Sequence, residues 1–164
     1  MTTQVKTIGV LGAGQMGGGI AQIAAVSGLN VVVFDAFPGS IEKCKGVHKK
    51  SLAKFVEKQK ITQADMDAAI ARIRFVDKVD QLTGCDWVVE AVVEDAKVKK
   101  DLFSQLAKMY PDENVVLATN TSSISITEIA TACGPTAHRV VGMHFFNPVP
   151  LMKLVEVIPG VQTS

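Results

Sequence analysis

Lys6-Thr-Ile-Gly-Val-Leu-Gly12-Ala-Gly14-Gln-Met-Gly17 decides the fold. Lys6 to Leu11 is a short apolar run that reads as a buried strand. Gly12, Gly14 and Gly17 follow with the spacing G-x-G-x-x-G, with Gln15 and Met16 between the last two. Gly18 to Val26 has helical character, and Gly28 ends that helix, as a glycine just past a helix often does. Asn30 to Phe34 is a β-branched run closed by Asp35, 18 residues after Gly17. The order strand, glycine loop, helix, strand, acid gives weight to a pattern that is weak alone. Gly12 permits a tight turn, Gly14 lets the backbone approach a pyrophosphate, and Gly17 lets the helix pack close to the sheet. The helix N-terminus then offers unpaired N–H groups and a partial positive charge to phosphates.

Asp35 can accept hydrogen bonds from ribose hydroxyls and would repel a 2′-phosphate, so NAD is expected rather than NADP. Gly12, Gly14, Gln15, Met16, Gly17 and Asp35 are the expected cofactor-binding residues of this end.

The rest of the chain alternates in the same way. Ser40 to Lys60 reads as a long helix, and Thr62-x-x-Asp65 as a capping box opening a second helix to about Ile73. Ile73 to Val76, Asp86 to Val93 and Asn114 to Ala118 read as strands, with a helix from Ala96 to Met109. Ser125 or Thr127 caps a short helix to about Cys133. Arg139 to Met143 reads as a strand ending at His144, and Lys153 to Ile158 as a last strand. Alternating strands and helices with nearly continuous apolar strands predict an α/β domain. The expected class is a Rossmann-type, doubly wound, mainly parallel sheet with helices on both faces, formed by residues 1–164 as one NAD-binding domain.

Composition narrows the function. The chain has 164 residues, 48% hydrophobic and 20% charged, with a formal net charge of +1. That balance excludes a disordered chain and gives no overall reason to expect nucleic acid or a membrane as partner. The first residues lack the apolar core of a secretory signal, and no apolar run spans a bilayer. Cys44, Cys85 and Cys133 lie far apart, in no metal-ligand spacing, so buried thiols in a reducing, cytoplasmic setting are expected, with no metal. One local excess stands out. Residues 40–60 carry seven lysines against Glu42 and Glu57, and Lys50, Lys54 and Lys58 share one helix face. His48 and His138 read as surface residues.

His144 follows an apolar strand, and Glu156 lies 12 residues on. In open α/β sheets, ligands bind outside the carboxyl ends of the strands. An imidazole, with an ordinary pKa of about 6.5, can take and return a proton near neutral pH. A turn through Asn147-Pro-Val-Pro150 would bring Glu156 back beside His144, to fix its tautomer and stabilise the imidazolium. On spacing alone, a satisfied structural histidine remains the competing reading.

Four stretches carry a resemblance: Gly12-Ala-Gly-Gln-Met-Gly17, Asp86-Trp-Val-Val-Glu-Ala-Val-Val-Glu94, Asn120-Thr-Ser-Ser-Ile124, and His144-Phe-Phe-Asn-Pro-Val-Pro-Leu-Met-Lys-Leu-Val-Glu156. Together they resemble the L-3-hydroxyacyl-CoA dehydrogenase family, most of all its bacterial 3-hydroxybutyryl-CoA members. The resemblance implies NAD-dependent, reversible oxidation of an (S)-3-hydroxyacyl-CoA to the 3-oxoacyl-CoA, such as 3-hydroxybutyryl-CoA to acetoacetyl-CoA. It implies His144 as the base, Glu156 as its orienting carboxylate, and Ser122 near both the reacting oxygen and the nicotinamide ribose. Glu94, Lys99 and Asn147 match positions at the nicotinamide end, and Ser51 and Lys58 match positions that touch coenzyme A. The family continues into an all-helical domain that supplies dimer contacts and part of the acyl-CoA pocket. On that reading the chain, ending at Ser164, binds NAD, is impaired in catalysis, and self-associates through exposed apolar surface; the full-length protein is a homodimer. A non-catalytic NAD(H)-binding module is the alternative. The glycine loop also resembles that of the β-hydroxyacid dehydrogenases, but their catalytic lysine in a later helix has no counterpart here.

Overall fold

The computed structural model describes residues 4–111 and 114–164. Met1 to Thr3, which open the stretch read above as no secretory signal, lie outside the described residues. Thr7–Leu11 is β1, Gln15–Val26 α1, and Asn30–Phe34 β2. Pro38–Glu57 is α2, Gln63–Arg72 α3, and Ile73–Val76 β3. Trp87–Glu90 is β4, Ala96–Met109 α4, and Val116–Thr119 β5. Ile126–Thr131 is α5, Val140–Phe145 β6, and Val155–Pro159 β7.

The strands form one sheet in the order β3-β2-β1-β4-β5-β6-β7. β1 to β6 are parallel, and β7 runs antiparallel to β6. The chain winds outward from β1 to β3, then returns to β4 and winds the other way. The strand order reverses between β1 and β4, which opens a crevice at their carboxyl ends.

Alternation along the strands divides the core. Ile8, Val10, Val31, Val33 and Val89 pack with Ile20, Ala21 and Ala25 of α1, Cys44 and Leu52 of α2, and Ala69 of α3. Leu11, Val32, Val88, Leu117 and Val140 pack with Phe103 and Leu106 of α4 and Ile129 and Ala130 of α5. Both faces are covered, which is why the strands read as continuous apolar runs. The Thr62 box forms as expected: Asp65 N–H donates to Thr62 Oγ1 at 3.1 Å, and Thr62 N–H to Asp65 Oδ2 at 2.9 Å.

Some boundaries differ from the sequence reading, each for a local reason. α1 starts at Gln15, not Gly18, so the glycine loop and the first helical turn are one structure. β4 stops at Glu90, not Val93: the Val92 N–H turns to Glu90 Oε1 at 2.7 Å and leaves the ladder. β6 runs through His144 to Phe145, because β7 pairs along it. Two 3-10 turns, Val79–Leu82 and Gly134–Arg139, lead into β4 and β6 and were not foreseen.

His48 is not a surface residue. It is 3% exposed, with Nε2 2.7 Å from the Gly18 carbonyl oxygen and 3.5 Å from Cys44 Sγ. A carbonyl only accepts, so Nε2 carries a proton. α2 lies close to α1 at Gly18, where an added Cβ would sit 3.0 Å from Cys44 Sγ. Burial pushes the His48 pKa down, against the Gly18 carbonyl, which pushes it up. His138 is partly exposed, and the three cysteines are free and buried.

Candidate active site

The glycine loop forms the floor of the crevice. Gly12 has φ 101°, and a Cβ there would lie 2.4 Å from the Ala91 carbonyl oxygen. A Cβ on Gly17 would lie 1.9 Å from the Gly12 carbonyl oxygen. Gly14 is different, since a Cβ there meets nothing within 4 Å. The backbone at Gly14 is therefore bare toward open space. Gly14 is also the N-cap of α1, with no side-chain cap and no acidic residue in the first turn. The positive end of the helix is left for an anion.

Asp35 follows β2 at the same edge. Its Oδ2 accepts the Ala13 N–H at 2.7 Å and its Oδ1 the Phe37 N–H at 2.8 Å. Those bonds hold the carboxylate beside the glycine loop, and each oxygen keeps accepting capacity.

His144 and Glu156 are directly opposite in the β6–β7 register. His144 Nδ1 lies 2.8 Å from Glu156 Oε2. The carboxylate only accepts, so Nδ1 carries the proton in the neutral ring and Nε2 is left as the acceptor. His144 is 20% exposed, so most of the side chain is packed. The Phe146 ring sits 4.7 Å from it, tilted by 59°. Asn147 closes the edge: its Oδ1 accepts from Gln15 Nε2 at 3.0 Å, which ties the histidine loop to the glycine loop. Asn120 Oδ1 accepts the Phe145 N–H at 2.8 Å and fixes the end of β6.

Between these two halves lies a buried polar group. Glu90 and Lys99 are 0% and 1% exposed, with Lys99 Nζ 2.6 Å from Glu90 Oε1. Lys99 Nζ is also 3.3 Å from Glu94 Oε2. Thr119 Oγ1 donates to Glu90 Oε2 at 2.7 Å. Glu94 Oε1 accepts from the Thr121 hydroxyl, the Ser122 N–H at 3.1 Å and the Ser123 N–H at 3.3 Å. Burial pushes the Glu94 pKa up. The Thr121 hydroxyl, Lys99 and the Ser122 N–H outweigh that and hold it below the ordinary carboxylate range. Ser122 is thereby presented on a loop pinned through its neighbours. Sequence reasoning passed over Glu90, although a carboxylate inside the apolar run Trp87-Val-Val-Glu-Ala-Val-Val was a visible signal.

A cavity of about 490 Å³ lies beside the glycine loop, between α1, α2 and the Asn147–Pro150 turn. Ser51 lines it and accepts from Gln22 Nε2 at 2.9 Å. Lys58 is the residue that ends α2 and is not on the cavity wall. The structure thus gathers Gly12, Gly14, Gln15, Gly17, Asp35, Asn147 and Ser51 around the glycine loop and its cavity, and Lys58 is not among the lining residues. Met16 packs against the core on the α1 side.

Residues 7–164 match the family described as "3-hydroxyacyl-CoA dehydrogenase, NAD binding domain". The chain belongs to this family. It is 54% identical over 156 residues to a probable 3-hydroxybutyryl-CoA dehydrogenase of Deinococcus radiodurans, covering 95% of this chain and 55% of that protein. The crystal structure of FadB2 from Mycobacterium tuberculosis superposes with a TM-score of 0.94 at 40% identity, over 99% of this chain and 56% of that one. The (S)-3-hydroxybutyryl-CoA dehydrogenase of Ralstonia eutropha gives 0.93 at 45% identity, over 98% of this chain and 56% of that one. The chain spans about half the length of the curated relatives it matches. The cofactor of the family is NAD, and the site fits it. The backbone at Gly14 is open to an approaching group, the α1 N-terminus is uncapped, and the Asp35 carboxylate lies beside the glycine loop with accepting capacity left. Among the described residues, no helix is long and apolar enough to cross a membrane.

Proposed function

We propose that this chain is the cofactor-binding and proton-transferring part of an NAD-dependent 3-hydroxyacyl-CoA dehydrogenase. It interconverts an (S)-3-hydroxyacyl-CoA and the 3-oxoacyl-CoA. The names of the relatives favour the four-carbon pair, 3-hydroxybutyryl-CoA and acetoacetyl-CoA. The observation that carries the reading is the His144–Glu156 pair, at 2.8 Å, on the same strand edge as the glycine loop.

Bound NAD supplies the hydride acceptor. The chain supplies the proton chemistry and the geometry. His144 Nε2 takes the proton of the C3 hydroxyl, and the developing imidazolium is stabilised by Glu156 on Nδ1. In the other direction His144 returns that proton to the carbonyl oxygen. Ser122 donates a hydrogen bond to the reacting oxygen. Gly12, Gly14, Gln15, Met16 and Gly17 form the phosphate-side floor, and Asp35 takes the adenosine ribose. Glu94, Lys99 and Asn147 stand at the nicotinamide end. Ser51 faces the coenzyme A side, and Lys58 offers a charge to its phosphates from the end of α2. Leu151, Leu154, Val157 and Val161 form an exposed apolar strip around β7. In a chain as long as its relatives, this strip is the seat for the remaining length, which supplies the contacts of a homodimer, in the cytoplasm.

A single-turnover assay with acetoacetyl-CoA and NADH tests the reading. Oxidation of NADH is expected, and His144→Ala slows it by about 10²–10⁴-fold. Equal rates in the two proteins would remove His144 from the mechanism. NADH binding with no turnover would leave a binding module.

A further inference from the structure

A second cavity, of about 440 Å³, opens between α2, the end of α3 and the edge strand β3. No residue that lines it also lines the cavity beside the glycine loop. The geometry points to this groove as a second ligand site, one that takes a small carboxylate with an apolar body and a hydroxyl donor.

The α3 and β3 side of the groove is apolar. Ile70, Ile73 and Phe75 line it and are half-buried. The α2 side is charged, with Glu42, Lys45 and Lys49. Glu42 and Lys45 offset each other at 2.7 Å, and the Lys45 ammonium sits 5.4 Å from the centre of the Phe75 ring. Lys49 has no ion-pair partner among the described residues. The groove thus carries one positive charge beyond its own pair, which favours an anion.

His48 supplies the polar contact. It lines the groove at 3% exposed, with its ring 6.2 Å from that of Phe75. Its Nε2 donates to the Gly18 carbonyl, so Nδ1 is the acceptor of the neutral ring. Burial lowers the His48 pKa and keeps the ring in that form near neutral pH. Nδ1 bonds to none of the described residues. A buried acceptor without a partner is costly, and a donor entering the groove satisfies it.

Gly46 is an independent sign of an occupant. It lies inside α2, where glycine is less stable than alanine because it loses more backbone freedom. No contact within the chain requires a glycine here: a Cβ would meet nothing within 4 Å. Gly46 lines the groove, and its lack of a side chain keeps the groove open. A groove with only a packing role needs neither this glycine nor an unpartnered Nδ1. The proposed ligand uses all of these features. Its carboxylate meets Lys49, its hydroxyl donates to His48 Nδ1, and its body lies on Ile70, Ile73 and Phe75. The volume is within the range of small-molecule sites.

The probe is 4-hydroxybenzoate, titrated into the chain at about pH 7.5 and followed by the shifts of the His48 ring nitrogens and the backbone amides. Saturable shifts of His48 Nδ1 and of the Gly46, Lys49 and Phe75 amides are expected, with a Kd of about 1 mM or tighter. Benzoate lacks the hydroxyl and is expected to bind about five-fold more weakly. The amide 4-hydroxybenzamide lacks the charge and is expected to bind about two-fold more weakly. Gly46→Leu fills the groove; it is expected to melt no lower than the unsubstituted chain and to lose the shifts. No saturation up to about 10 mM probe overturns the inference. So does equal binding of benzoate and 4-hydroxybenzoate, or unchanged binding in a folded Gly46→Leu. If the same amides shift on raising the protein concentration alone, the groove is an interface between copies of the chain, and the inference is again overturned. If Gly46→Leu does not fold, Lys49→Gln decides: a Kd raised about two-fold supports the site, and an unchanged Kd overturns it.

Discussion

Gly14 and Gly17 separate binding from folding at single positions. A Cβ on Gly14 points into open space, whereas one on Gly17 runs into the Gly12 carbonyl. Gly14→Ala is therefore expected to keep stability within about 1 kcal/mol. Gly17→Ala is expected to lose roughly 2–3 kcal/mol from overpacking against backbone. Urea unfolding of both variants checks the contrast, and equal losses would contradict it. Glu156→Gln keeps a group near His144 Nδ1 but removes the charge that stabilises the imidazolium. The expected outcome is a fall in turnover of about ten-fold or more, with NADH affinity unchanged. An equal loss of affinity would make Glu156 a structural residue. His144 and Glu156 were legible in the sequence because a histidine at the end of an apolar strand and a carboxylate 12 residues on are both exposed to inspection. The inward burial of Glu90, Lys99 and His48 was not. Their burial depends on which helix covers which strand, and no local pattern encodes that.

His48 illustrates the same point for a helix. α2 reads as a lysine-rich face, yet His48 turns inward to the Gly18 carbonyl, because Gly18 gives α1 a side with no side chain. Burial lowers its pKa in the folded chain, so the folded state resists protonation. The sign follows from linkage: the full contribution is present above the unfolded imidazole value of about 6.5, and is lost as pH falls from there toward the lowered folded value. Urea midpoints should therefore fall over that window, and the fall should shrink in His48→Gln, which keeps a donor for Gly18. The same slope in both proteins would exclude His48 as its source. Strands show what the sequence reads well and badly. The existence of every strand was legible from apolar runs. The stop of β4 at Glu90 was not, because it is made by a side chain taking the Val92 N–H. The turn at Asn147–Pro150, which returns β7 beside β6 and places Glu156 opposite His144, was legible.

Across the whole molecule, the doubly wound order puts most of the proposed contacts on one edge of the sheet, with Ser51 on α2 and Lys58 at its end. The glycine loop lies at β1, Asp35 at β2, Glu94 after β4, Ser122 after β5 and His144 on β6. The opposite consequence falls on β7, an edge strand with Val157 and Ile158 exposed and Leu154 just before it. An apolar edge of this kind promotes association. The chain is expected to self-associate at high concentration, and Leu154→Lys/Val157→Lys to remain monomeric, as light scattering would show. A monomeric unsubstituted chain would contradict this. The alternation of strands and helices made the fold class readable. The strand order became visible only in three dimensions, because parallel neighbours are set by crossover packing and not by adjacent sequence. The most direct measurement is a fluorescence titration of the chain and of Gly14→Val with NADH. Saturable binding by the first, and its loss in a second protein of unchanged fold, is the predicted result. No saturation up to millimolar NADH, or equal binding by both proteins, would contradict the account.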